Sequence, residues 1–136
     1  MTYLLDTNVC IAAMRGNDQV LRRLRACSPE DFAVSMVSVF ELFAGVFRCR
    51  DPEGEGLKVT TFLSPYHLLP FDWDSSVKTA EIRFELERAR TRIGPYDLQL
   101  CGQARALGLT LVTHNTSEFK RVDGLLLEDW EAEGER

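Results

Sequence analysis

YLLDTNVCIAAM, residues 3–14, decides the fold. A short apolar run ends on a carboxylate, Asp6, and a second apolar run follows almost at once. Residues 3–5 read as a strand and residues 8–15 as a helix that stops at Gly16. A carboxylate between two such runs stands close to a core, where an unpaired charge is expensive. Three roles are open to Asp6: capping the helix, pairing with a base, or holding a metal ion.

Working outward, the same strand-then-helix order repeats. A helix over 18–27 carries Val20, Leu21 and Leu24 on one face. FAVSM (32–36) reads as a strand, after which Ser38 starts a helix with Val39, Leu42, Phe43, Val46 and Phe47 at helical spacing. DPEGEG (51–56) reads as a loop and 57–63 as a helix. HLLPF (67–71) is a strand ended or edged by Pro70. A long helix from Asp74 or Ser75 to Arg90, a break at Gly94-Pro95 and a helix over 96–107 come next. LTLVT (109–113) and 125–128 supply the last strands. Alternation of this kind predicts an α/β fold, with a central parallel sheet of four to five strands flanked by helices on both faces. In such sheets ligands bind beyond the carboxyl ends of the strands.

The chain has 136 residues, enough for a single domain over 1–136 with a real core. An apolar fraction of 45% excludes a disordered chain. No apolar run approaches the roughly 18 residues of a membrane span, and Asp6 interrupts any signal-peptide layout. The expectation is a soluble, cytoplasmic protein with no membrane partner. Cys10, Cys27, Cys49 and Cys101 form no C-x-x-C pair, so small buried thiols are expected rather than disulfides or zinc. The net charge of −5 argues against a strongly basic nucleic-acid binder, yet the sign of the total does not locate charge. Arginines cluster at Arg15, Arg22, Arg23 and Arg25, at Arg48 and Arg50, and at Arg88, Arg90 and Arg92.

Asp6, Glu41, Asp97, Asn115 and Glu118 all fall near strand ends or helix starts. Each has a local explanation. Ser38-x-x-Glu41 has capping-box form, first-turn acids at 97 and 118 suit the helix dipole, and Asp6 can cap. Capping does not require acids set among apolar neighbours, as in LLD and VFEL, and no Lys stands within a few residues of Asp6, Glu41 or Asp97 as a partner. Converging carboxylates raise one another's pKa values, and a hard divalent cation removes that conflict.

LLDTNVCI, SVFELFAGV, IGPYDLQLCGQARALGLTLVTHNTSEFKRV and the closing LLLEDW together resemble a PIN-domain ribonuclease, and most nearly a VapC-type toxin of a prokaryotic toxin–antitoxin pair. The resemblance covers nearly the whole chain and is weakest over 50–75. It implies a PIN-like three-layer α/β/α fold and a site of Asp6, Glu41 and Asp97, with Asn115, Glu118 or both as the fourth polar group. Many PIN domains have Asp where Asn115 stands, so Glu118 takes the greater weight. Thr7 is expected to support the site, Asn8 to shape the turn, and capping to fall to one of them rather than to Asp6. LCGQA departs from the usual small apolar run, although Cys101 and Gly102 remain small.

On that resemblance Asp6, Glu41, Asp97 and Glu118 hold one or two Mg²⁺ or Mn²⁺ ions, and in-line hydrolysis leaves a 5′-phosphate and a 3′-hydroxyl. His114 is expected to line the site or the RNA path rather than to do acid–base work. Arg15, Arg22, Arg23 and Arg83 are the candidates for RNA phosphate contact. The implied partners are a structured RNA such as tRNA, a VapB-type antitoxin lying in the site groove, and a second copy of the chain in a homodimer. Two competing readings are a PIN-like scaffold without turnover and a haloacid-dehalogenase type phosphohydrolase. The latter needs D-x-D where this chain has D-T-N.

Overall fold

The computed structural model describes residues 1–131; positions 132–136 of the expected 1–136 domain lie outside the described residues. Five strands, β1 (Tyr3–Leu5), β2 (Phe32–Ser35), β3 (His67–Leu69), β4 (Thr110–Val112) and β5 (Leu127–Glu128), pair in parallel in the order β3-β2-β1-β4-β5. Between them run α1 (Thr7–Met14), α2 (Asp18–Arg25), α3 (Met36–Val46), α4 (Pro52–Leu63), α5 (Trp73–Arg88), α6 (Pro95–Leu107) and the short α7 (Thr116–Phe119). The strand order reverses direction at β1, so the crevice between β1 and β4 is the switch point of the sheet. No helix among the described residues is long and apolar enough to cross a membrane.

Alternation along the strands sorts the core into two layers. Leu5, Phe32, Val34 and Val112 face α1, α2, α3 and α4, whereas Leu4, Ala33 and Leu111 face α5 and α6. Tyr3, Phe32 and Trp130 close the end of the first layer through stacked and edge-on rings. Cys10 and Cys101 are buried as expected; Cys27 is half-buried and Cys49 is exposed.

Two boundaries differ from the sequence reading. Residues 52–56 belong to α4, capped by Asp51: its Oδ1 accepts the Gly54 N–H at 3.1 Å, and Pro52 occupies the first turn, where a missing N–H is harmless. Gly56 faces Phe43 and Val46 closely, so packing on α3 outweighs the low helix propensity of two glycines. The helix after β2 begins at Met36, capped by Ser35 on the Val37 N–H, so Ser38 is not its cap. The small residues that remain in LCGQA serve the packing of α6. A Cβ at Gly102 would overlap the Thr79 side chain, so the glycine sets how closely α5 and α6 approach. Gln103 is fully buried beside it, with Nε2 donating to the Leu69 and Pro70 carbonyls at 3.3 and 3.1 Å. It ties α6 to the end of β3.

Candidate active site

Asp6 is the first residue past β1. Its N–H donates to the Val112 carbonyl at 3.1 Å, which holds it at the β1–β4 seam. Its Oδ1 accepts the Val9 N–H at 2.8 Å, so Asp6 itself caps α1. The expectation that Thr7 or Asn8 caps the turn is thereby corrected: both already lie inside the helix, and only the extended residue before it can reach back to Val9. Capping leaves most of a carboxylate's lone-pair capacity free. Asp6 is 4% exposed. Burial is the main cause that pushes its pKa to about 6; the Thr113 hydroxyl and the Val9 N–H pull it down, and the charges of Glu131 and Glu41 push it up.

Thr7 turns toward α3. Its hydroxyl donates to Glu41 Oε1 at 2.7 Å and lies 2.9 Å from Ser38 Oγ. Glu41 is beyond the first turn of α3, so the capping-box explanation fails and its carboxylate is oriented by Thr7 instead. Asn8 is exposed and lines a cavity rather than shaping the turn.

On the other side of the seam, Gly94 and Pro95 open α6 and place Asp97 in its first turn. Glu118, in α7, accepts the Gly94 N–H on Oε1 at 3.1 Å and the Asn115 amide on Oε2 at 2.8 Å. Asn115 and Glu118 are thus a pair, with the amide holding the carboxylate. Burial raises the Asp97 pKa to about 6, followed by the charges of Glu118, Asp6 and Glu41. Asp97 of α6 therefore feels three further acids across the rim: Glu118 of α7, Asp6 at the cap of α1 and Glu41 of α3. Among the described residues no three Asp, Glu, His or Cys side chains already stand as a metal-ligand set. Asp6, Glu41 and Glu118 are each engaged by donors of the protein.

Three contributors escape a reading of the sequence. Thr113 is fully buried, its hydroxyl lowers the Asp6 pKa, and it accepts the Asn115 N–H at 3.0 Å. Ser38 is fully buried against Thr7. Glu131 brings a further acidic charge to bear on Asp6, ahead of that of Glu41, and accepts from Asn17 Nδ2 at 3.4 Å. A signal for Glu131 exists only in the acidic close LEDWE, which nothing local connects to residue 6.

His114 Nδ1 lies 3.1 Å from both oxygens of Asp129, and that hydrogen bond raises the imidazole pKa. The ring is exposed and lines a cavity of about 440 Å³ with Asn8, Arg15, Asn115 and Glu131. Arg15 also reaches a second groove beside Glu41, and Arg22 is exposed on α2. Arg23 is committed elsewhere, to Glu128 at 2.7 Å and to the face of Trp130. Arg83 pairs loosely with Glu87 at 3.6 Å on α5. The structure therefore brings Arg15, but not Arg22, Arg23 or Arg83, into direct company with the acids.

A doubly wound sheet with acids at its switch point is the frame that the comparisons define more narrowly. Residues 3–125 match the family described as PIN domain, and the chain belongs to that family. It is 33% identical over 130 residues to the tRNA(fMet)-specific endonuclease VapC of Salmonella typhimurium, covering 96% of this chain and 98% of that one. The protein of the same description from Shigella flexneri is 35% identical over the same shares of the two chains. Among solved structures, a DNA-bound VapBC complex from Salmonella typhimurium superposes with a TM-score of 0.91 at 33% identity, over 96% of this chain and 98% of its counterpart.

Proposed function

We propose that this chain is an antitoxin-controlled endoribonuclease of VapC type that cleaves tRNA with the help of Mg²⁺ or Mn²⁺. The observation that carries this reading is Asp97, whose carboxyl is pushed to about 6 by burial and by three other acids on the same rim. An all-oxygen donor set under mutual repulsion suits a hard divalent cation. When bound, such an ion neutralises charge at the attacked phosphate and makes water a better nucleophile. Asp6, Glu41, Asp97 and Glu118 would hold it. Thr7 orients Glu41, Asn115 and the Gly94 N–H orient Glu118, and Thr113 steadies Asp6. Supporting groups of this kind typically change metal affinity or activity by ~10–100-fold. Arg15, between the two cavities at the rim, is the arginine placed to meet a substrate phosphate.

The two relatives named for tRNA(fMet) support tRNA as the substrate, and with it a cytoplasmic site of action. The VapBC complex supports an antitoxin partner. A groove of about 860 Å³ suits that partner: its apolar wall includes Ile11, Met14, Leu42, Val46, Val59 and Phe62, and Arg15 and Glu41 also line it. A cationic antitoxin side chain reaching past Glu41 would meet the acids a metal needs. The deciding experiment incubates antitoxin-free protein with total tRNA. Cleavage is expected with Mg²⁺ or Mn²⁺, none with EDTA, and none after one equivalent of the cognate antitoxin is added. Equal cleavage in EDTA sinks the metal, and uninhibited cleavage sinks the antitoxin.

A homodimer completes the proposal. Trp73, Val77 and Phe84 of α5, with Met36 and Phe40 of α3, are exposed apolar side chains, and Trp73 is 81% exposed. Exposed apolar side chains at helical spacing on α5, and again on α3, are candidates for a surface that a partner covers. Light scattering should give twice the chain mass for the parent and the chain mass for Trp73→Glu/Phe84→Glu; a monomeric parent removes the dimer.

A further inference from the structure

The acid rim repels RNA, so a polyanion that reaches it needs attraction from nearby positive charge. A chain of net charge −5 has to supply that charge locally. The cleft between the end of α5 and the start of α6 does so. It is about 670 Å³, and among the described residues Arg83, Arg90 and Arg92 line it against a single acid, Glu87. Leu86, Ile93 and Leu98 form its apolar floor, along which arginine stems can lie.

Three features connect this cleft to the acids. Pro95 and Leu98 line it and flank Asp97 in the first turns of α6. The Gly94 N–H, at its margin, donates to Glu118. Arg121 Nη1 donates to the Arg92 carbonyl at 2.7 Å, and the Thr91 N–H to the Leu86 carbonyl at 3.0 Å, so the turn carrying the arginines is tied at both ends. Arg90 holds a left-handed backbone with φ of 57°, a conformation that favours glycine. An arginine side chain is thereby projected from the turn where glycine would be the easier choice.

We infer that this arginine cleft binds backbone phosphates of the RNA substrate beside the acid rim, with Arg90 and Arg92 as the principal contacts and Arg83 as a third. The identity of the polyanion rests on the nuclease reading above. Guanidinium forks suit phosphate oxygens, and among the described residues the cleft offers no base-reading amide, so the contacts position RNA rather than select its sequence.

Full-length protein is titrated against end-labelled total tRNA in EDTA, with anisotropy read over a series of KCl concentrations. Arg90→Gln/Arg92→Gln is expected to weaken binding by about 10–100-fold near 0.1 M salt and to flatten the log–log salt slope by about 1.4–1.8, the loss of two phosphate contacts. Arg90→Lys/Arg92→Lys restores the slope. Glu87→Gln binds more tightly than the parent, a gain that a damaged fold cannot produce. Arg25→Gln, on exposed α2, binds as the parent does. Parental affinity and slope in Arg90→Gln/Arg92→Gln overturn the inference. Arginine-dependent binding of a polyglutamate peptide, without any such effect on tRNA, overturns it in favour of an acidic protein partner. Arginine-dependent tRNA binding by a parent that cleaves nothing with Mg²⁺ keeps the cleft and discards the nuclease. Cleavage by the parent with no arginine effect does the reverse.

Discussion

Asp97→Asn should fold like the parent and lose tRNA cleavage by at least ~10³-fold, the several kcal/mol of barrier that a metal ion supplies. Asparagine has the same shape, so α6 keeps its start at Gly94-Pro95 and its packing on α5. What disappears is the carboxyl whose pKa burial, and after it the charges of Glu118, Asp6 and Glu41, raise to about 6. The loss should appear in kcat, with tRNA affinity in EDTA unchanged or slightly tighter, because removing a negative charge from the rim cannot repel RNA. The parent should show the matching pH dependence. Asp6 and Asp97 hold their protons below about 6 and can bind a cation only once ionised. Cleavage therefore climbs steeply between pH 5 and 7 and flattens above, and the midpoint moves to lower pH as metal is raised, since metal and protons compete for the same oxygens. A profile flat from pH 5 to 8, or a variant with parental kcat, removes Asp97 from the metal set.

The order of elements was legible because each strand is short and each helix carries its own apolar period. Asp6 stood out because a carboxylate set between the apolar runs LL and VCI stands close to a core, where capping explains its place but not its burial. Its cap role was misassigned because sequence suggests one function per carboxylate, whereas two oxygens support two. The Thr7–Glu41 contact needs α1 and α3 side by side, which follows only from β1 pairing with β2. Thr113 stayed hidden for a similar reason. Leu5 pairs with Val112, so the residues after them, Asp6 and Thr113, become neighbours through strand register alone. The Asn115–Glu118 contact, amide to carboxylate at 2.8 Å, is legible as spacing three residues apart, but its direction is not.

That rim carries a stability consequence opposite in sign to its effect on catalysis. Asp6→Asn should inactivate the protein and stabilise it above neutral pH. Asparagine serves as well as aspartate at an N-cap, so the Val9 N–H keeps its acceptor. The folded pKa of Asp6, about 6, lies above its ordinary value of 3.8. A carboxyl raised in this way favours the folded state fully below pH 3.8. The contribution fades as pH rises to about 6, because the unfolded chain ionises first, and is gone above that. At pH 8 the folded parent carries a buried charge worth ~2–3 kcal/mol of destabilisation, which the amide removes. In EDTA the variant should melt ~5–10 °C above the parent at pH 8 and within a degree or two of it near pH 4. Saturating Mg²⁺ should close the gap at pH 8 by stabilising the parent alone, since a cation that binds only the folded rim raises its melting point. A variant that melts below the parent at both pH values would make Asp6 a structural cap first. A gap that Mg²⁺ leaves untouched would place the cation elsewhere.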